Sequence, residues 1–167
     1  MRTTLFDYCQ KFLAVVALWL FCSASDSVLL NYIFFLIVIL LLKPQLKEDI
    51  NKKINIKDST ISVFLFLMFS FLLSFLFQEG NRNTPNILSV TLLAPLFEEI
   101  FFRKLLTRNM STLSGAIFSS LIFALFHPLK LFVPTFLLGT VLFYIYKKCG
   151  LKISITAHML NNILALF

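Results

Sequence analysis

The chain has 167 residues, of which 59% are apolar and 14% are charged, and its net charge is +7. A soluble domain is nearer 45–50% apolar and about 25% charged, and a soluble chain this short could not bury so much apolar surface. Lipid must therefore cover much of the protein, which excludes an ordinary soluble enzyme. The basic residues lie between apolar runs, where they act as topology signals and contact lipid headgroups, so we expect no nucleic-acid partner.

Seven apolar runs are candidate membrane spans, because a bilayer core of about 30 Å needs roughly 17–25 apolar residues per helix. The sequence therefore predicts an all-α fold, a polytopic membrane helix bundle of about seven transmembrane helices. An N-terminal three-helix segment (1–85) with a basic cytoplasmic loop precedes a core of four helices (86–167). The predicted spans are 9–24, 27–42, 59–77, 86–107, 113–127, 131–147 and 151–167.

The charges of the loops predict the orientation of these spans. With a cytoplasmic N-terminus, thirteen of the fifteen basic residues fall on the inside and only Arg82 and Lys130 on the outside, as the positive-inside rule predicts. The first span also resembles a signal peptide, because Arg2 precedes an apolar run that ends in small residues. We favour the interpretation that residues 1–25 form a helix that is not cleaved, since Asp7 lies in what should be the purely basic region of a signal peptide.

Two adjacent carboxylates, Glu98 and Glu99, lie inside a predicted span, whereas the other six fall in termini, loops or span ends. A charged side chain at the centre of a membrane helix costs about 2.5–3.5 kcal/mol, so the pair predicts a functional site. Glu99 and Arg103 are four residues apart, share a helix face and can pair. Glu98 lies about 140° around the helix axis from Arg103. Without that partner, Glu98 is suited to act as a general base.

Three further polar residues lie in or beside the last predicted spans. His127 ends one span, and His158 and Asn162 are four residues apart on one face of another. At about 1.5 Å per residue, these side chains and Glu98 lie at overlapping depths, roughly 10–20 Å from the cytoplasmic ends of their helices. Either histidine alone is as readily explained by an interhelical hydrogen bond. Together with the glutamates they predict one polar cluster near mid-membrane.

Three motifs in the second half of the chain resemble the signature of the CPBP family. These are the CAAX proteases and bacteriocin-processing intramembrane proteases, also called Abi or type II CAAX prenyl endopeptidase-like proteins. The resemblance covers residues 86–167, and the order and the internal spacing of the motifs match. The motifs are Glu98-Glu99-x-x-x-Arg103, Phe123-x-x-x-His127 and His158-x-x-x-Asn162.

The resemblance implies an intramembrane endopeptidase and a role for each motif residue. Glu98, with His127, would activate a water molecule for attack on a peptide carbonyl. His158 and Asn162 would stabilise the oxyanion, which is usually the largest catalytic contribution. The second glutamate and the motif arginine would hold the site together, in agreement with their helical spacing.

No cofactor is required by the mechanism that we favour, in which a glutamate activates the water without a metal. Zn²⁺ stays an alternative, because Glu98, His127 and His158 could bind it and leave a position for water. The chain contains no HExxH sequence, so the usual indication of a zinc protease does not apply.

The expected partners are membrane lipid and a peptide or protein substrate with a membrane-proximal cleavage site. A composition rich in Phe, Ile, Lys and Asn is more typical of a bacterial plasma-membrane protein. It favours peptide maturation or bacteriocin self-immunity over prenyl-protein processing. The alternative is a non-catalytic membrane immunity protein that retains the motifs for structure. A proton-coupled transporter is less favoured, because the sequence shows no inverted repeat.

Overall fold

The computed structural model describes two continuous stretches and a few separate residues of the N-terminal part. All regular elements within them are helical, which confirms the all-α class. The predicted spans 9–24 and 27–42 and the loop 78–85 lie wholly or mostly outside the described residues, so the seven-span count stays a prediction. The described residues are 55–76 and 87–166, together with 11, 13–17, 33–34 and 36–37.

Five helices, α1 to α5, make up the two continuous stretches of the chain that the structure describes. The second, α2, is a composite of three consecutive segments, and a short 3-10 turn, Leu129–Leu131, precedes α4. The bounds are α1 Ile56–Leu76, α2 Ser89–Leu93 (π), Ala94–Glu98 (α) and Glu99–Leu105 (π), α3 Thr112–Leu125, α4 Phe132–Cys149 and α5 Leu151–Leu164.

Two of the described helices are long and apolar enough to cross a membrane. They are α1 and the 21-residue helical stretch Leu129–Cys149, which includes α4, whereas α3 is apolar but shorter. Along α1, the large side chains of Phe64, Phe71 and Phe75 are 61–72% exposed. A surface of this kind suits contact with lipid better than contact with water.

The hydrogen bonding of α2 is irregular on both sides of Pro95. The Ala94 N–H reaches back five residues to the Ser89 carbonyl, and the Leu106 N–H does the same to Phe101 at 2.9 Å. Proline has no N–H to donate to the preceding turn, which accounts for part of this departure from α-helical bonding. Turns of the π type are rare, and those that occur are often at functional sites. Here the first ends at Leu93 and the second begins at Glu99, directly after Glu98.

Two apolar clusters hold the described helices together. One joins α2 to α3 and also contacts Val15 of the N-terminal part, and the other joins α1, α4 and α5. Between them, the two clusters pack against α2, α3 and α5, the helices that carry the motifs. Close packing of this kind leaves the polar site little freedom to shift. The first contains Phe101, Phe102, Leu105, Leu106 and Phe123, and the second Phe66, Leu142, Ile145, Cys149 and Ala157.

A single residue, Gly150, joins α4 to α5. Its φ of 93° and ψ of 169° lie in a region that is essentially restricted to glycine. Its N–H donates to the Tyr146 carbonyl at 2.9 Å, and its own carbonyl accepts from the Ser154 N–H at 3.2 Å. The backbone of Gly150 thus ends one helix and begins the helix that carries His158.

Replacing Gly150 by alanine should destabilise the protein by about 1–3 kcal/mol, because a Cβ is strained at this φ and ψ. Thr156→Ala is the control, since it introduces the same residue at an exposed position of α5. The measurement is the thermal unfolding midpoint of the detergent-solubilised protein. Equal midpoints for the two variants would contradict the prediction.

Candidate active site

The Glu99–Arg103 pair that the i,i+4 spacing predicts is present on α2 and is fully buried. Arg103 Nε lies 3.4 Å from Glu99 Oε2, and both side chains are 0% exposed. The contact is an ion pair without the alignment of a hydrogen bond. Arg103 also donates from Nη1 to Ser119 Oγ at 3.1 Å, and its Cζ lies 4.8 Å from the centroid of the Phe123 ring. Arg103 therefore connects α2 to α3.

Glu99 is completed by two side chains of α5. Its Oε1 lies 3.1 Å from Nδ1 of His158, and its Oε2 accepts a hydrogen bond from the Ser154 hydroxyl. A carboxylate offers about four acceptor positions; Ser154 and His158 fill two of them, and Arg103 lies within ion-pair distance. These hydrogen bonds and the counter-ion allow an ionised carboxylate to stay in a buried position.

His158 lies between the two glutamates. Its Nδ1 faces Glu99, and its Nε2 lies 3.8 Å from Glu98 Oε2. The second distance is within ion-pair range but too long for a direct hydrogen bond. The Glu98 side chain is 21% exposed, in contrast to 0% for Glu99. One carboxylate of the pair is therefore enclosed by protein, and the other is accessible at the site.

His127 follows the end of α3 and contacts Phe123 of the same motif. Its Nδ1 is 2.9 Å from the Phe123 carbonyl oxygen, and the two rings are 4.7 Å apart. A carbonyl oxygen only accepts, so Nδ1 carries the hydrogen and Nε2 of the neutral ring is an acceptor. His158 also packs on Phe123, at 5.8 Å between ring centroids. Phe123 thus contacts both histidines. Of the two, His158 lies within ion-pair distance of Glu98.

Asn162 is tied to the irregular part of α2. Its Nδ2 donates to the Val90 carbonyl at 2.9 Å, and its Oδ1 accepts from Asn161 Nδ2 at 3.3 Å. Asn161 in turn accepts a hydrogen bond from the Ser70 hydroxyl on α1. Because an amide nitrogen carries two hydrogens, one N–H of Asn162 is left for a further acceptor.

The three candidate zinc ligands, Glu98, His127 and His158, are not gathered around one point in the manner of a metal site. Among the described residues, no group of three or more His, Cys, Asp or Glu is arranged to hold a metal ion. Both ring nitrogens of His158 face carboxylates. Zinc binding by these residues stays a prediction.

Several residues of the site were not predicted from the sequence. Ser119 and Ser154 are serines within apolar helices, each one helical turn before a motif residue, Phe123 and His158 respectively. That spacing places each serine on the same helix face as its motif residue. This shared face is the sequence signal from which the two serines could have been predicted. The Val90 carbonyl could not have been found, because a backbone group carries no sequence pattern.

The fold and the site together define a helical membrane protein with a buried acidic and histidine-containing cluster. The family model for type II CAAX prenyl endopeptidase Rce1-like proteins matches residues 80–164, just over half of the chain. The chain belongs to this family, whose members are membrane-embedded proteases. Neither the comparison with curated proteins nor that with solved structures found a match.

The two glutamates should differ in their effect on stability. Glu99→Ala leaves the buried Arg103 without its counter-ion, which costs about 3–5 kcal/mol for a buried pair. Glu98→Ala removes a partly exposed carboxylate and should cost much less. Thermal unfolding of the two detergent-solubilised variants checks this, and a smaller loss for Glu99→Ala than for Glu98→Ala would contradict it.

Proposed function

We propose that this protein is an intramembrane endopeptidase in which Glu98 activates the attacking water. The observation that carries the proposal is the difference between the two glutamates. Glu99 is enclosed and paired with Arg103, whereas Glu98 is partly exposed beside His158. A general base must be accessible to the water from which it takes a proton, and Glu98 meets that condition.

In the first step, Glu98 accepts a proton from water as the water oxygen forms a bond to the peptide carbonyl carbon. His127 supports this step, because its Nε2 is an acceptor that can hold the second hydrogen of the water. The negative charge that leaves Glu98 appears on the carbonyl oxygen. No cofactor takes part in this transfer.

Two donors suit the stabilisation of that oxyanion. His158 is oriented through its Nδ1 contact with Glu99, as the buried carboxylate orients the histidine in a Ser-His-Asp triad. In the protonated ring its Nε2, which faces the site, also carries a hydrogen to donate. The unused N–H of Asn162 is the second donor. When the carbon–nitrogen bond breaks, Glu98 returns its proton to the leaving nitrogen, which releases an amine and a carboxylic acid.

The proposed substrate is a peptide or protein with a cleavage site close to the membrane, and the proposed location is the plasma membrane of a bacterium. The family's CAAX-type peptidase activity supports the reaction class. The composition supports peptide maturation or bacteriocin self-immunity as the biological role. Membrane lipid is the other expected partner, because much of α1 is uncovered apolar surface.

Loss of the base should abolish cleavage without unfolding the protein. For Glu98→Gln and for His127→Ala, we expect kcat/KM on a membrane-embedded peptide to fall about 10²- to 10⁴-fold, the usual contribution of general acid–base catalysis. Asp58→Asn is the control, since the exposed Asp58 carboxylate pairs with Asn55 at 3.0 Å and with Lys148 at 3.9 Å, outside the motifs. Wild-type cleavage in both site variants would refute the proposal.

A binding role makes a different prediction in cells. If immunity requires hydrolysis, the double variant Glu98→Gln, His127→Gln should give no protection to cells challenged with the bacteriocin, at a membrane level equal to that of the wild type. Full protection by this variant would favour a non-catalytic immunity protein that retains the motifs for structure.

A further inference from the structure

We propose that Ser154 is a positioning residue of the site, which sets the orientation of the Glu99 carboxylate and, through it, that of the His158 ring. The effect of Ser154 on reaction rate rests on the proposed peptidase function. Its effect on the His158 ring does not, because that effect follows from the contacts alone. Ser154 lies in none of the three sequence motifs.

Two acceptors in the described part of the chain lie within reach of the Ser154 hydroxyl. The residue is 0% exposed, and its Oγ lies within hydrogen-bond distance of Glu99 Oε2 and, at 3.1 Å, of the Leu142 carbonyl. A hydroxyl has one hydrogen to donate. The bond to the carboxylate is favoured, because a hydrogen bond to an ionised acceptor is roughly twice as strong as one between neutral groups.

Because of this bond, the two oxygens of the Glu99 carboxylate have different partners. Oε2 is taken by Ser154 and Arg103, so Oε1 is the oxygen that faces His158 Nδ1. Without the hydroxyl, the carboxylate can rotate toward Arg103 and away from the ring. Ser154 and His158 are four residues apart on α5, so one helix face presents both the hydroxyl and the ring to Glu99.

The test uses the fact that the chain contains only two histidines, His127 and His158. In detergent-solubilised protein with ¹⁵N-labelled histidine rings, His127→Gln assigns the two sets of ring signals. We expect Ser154→Ala to shift the ring nitrogen signals of His158 and to leave those of His127 unchanged. A general loss of packing would instead move both, because both rings contact Phe123.

Ser120→Ala is the matched control for this substitution. Ser120 is another serine that is 0% exposed, and its Oγ has no hydrogen-bond partner among the residues that the structure describes. The same atom is removed from an equally buried position outside the Glu99 contacts. We expect this control to keep the His158 signals and the kcat of the wild type.

On a membrane-embedded peptide, Ser154→Ala should lower kcat about ten- to a hundred-fold with little change in KM, since a misplacement of about 1 Å can cost 10²-fold. Ser154→Cys, which keeps a weak donor, should lie between alanine and wild type, and it serves as the test variant if the alanine variant does not fold. Unchanged His158 signals, or an unchanged kcat in the presence of wild-type cleavage, would overturn the proposal. If the wild type cleaves no peptide while the His158 signals shift as expected, the peptidase function fails and the contact stands.

Discussion

The buried ion pair between Glu99 and Arg103 is the constraint on which the arrangement of the described helices depends. Removing each ion from water costs several kcal/mol, and mutual attraction offsets that cost only when the remaining hydrogen-bonding positions are also filled. α5 supplies a hydroxyl and an imidazole to the glutamate, and α3 supplies a hydroxyl and an aromatic face to the arginine. Arg103 Nε and Nη2 have no hydrogen-bond partner among the described residues, so the charged pair depends all the more on the contacts that α3 and α5 do supply.

The same constraint gives two neighbouring glutamates different environments. Successive residues of a helix point in different directions, so Glu98 contacts the other nitrogen of the His158 ring from the one that faces Glu99. Glu98 is left at the edge of the cluster, 21% exposed, with His158 Nε2 3.8 Å from its carboxylate. The π-type turns on either side place this exposed carboxylate in a helix whose backbone is irregular, and Asn162 binds a carbonyl of the first such turn.

What could be predicted from the sequence is what a single helix determines. The helical class follows from apolar runs of membrane-spanning length, and the Glu99–Arg103 contact follows from a spacing of four. The contact between Glu99 and His158 depends on how α5 is rotated against α2, which no spacing within either helix specifies. The end of α3 shows a smaller difference, because the helix stops at Leu125 and places His127 in the turn before Pro128, whereas the sequence predicts a span that includes His127.

The balance of charge in the cluster bears on how it could carry out hydrolysis in a region of low dielectric. Two carboxylates face one guanidinium and one imidazole, so the four groups are neutral together when His158 carries a proton. In the proposed step, proton transfer from water neutralises Glu98 while the oxyanion forms, so the total over the four groups and the oxyanion stays zero. The transfer moves one negative charge from the carboxylate to the oxyanion, which stays beside His158. An uncompensated charge is most costly where water is scarce. A reaction that only moves a charge within a neutral cluster therefore suits this environment. The charge moves a short distance because His158 lies between the two glutamates.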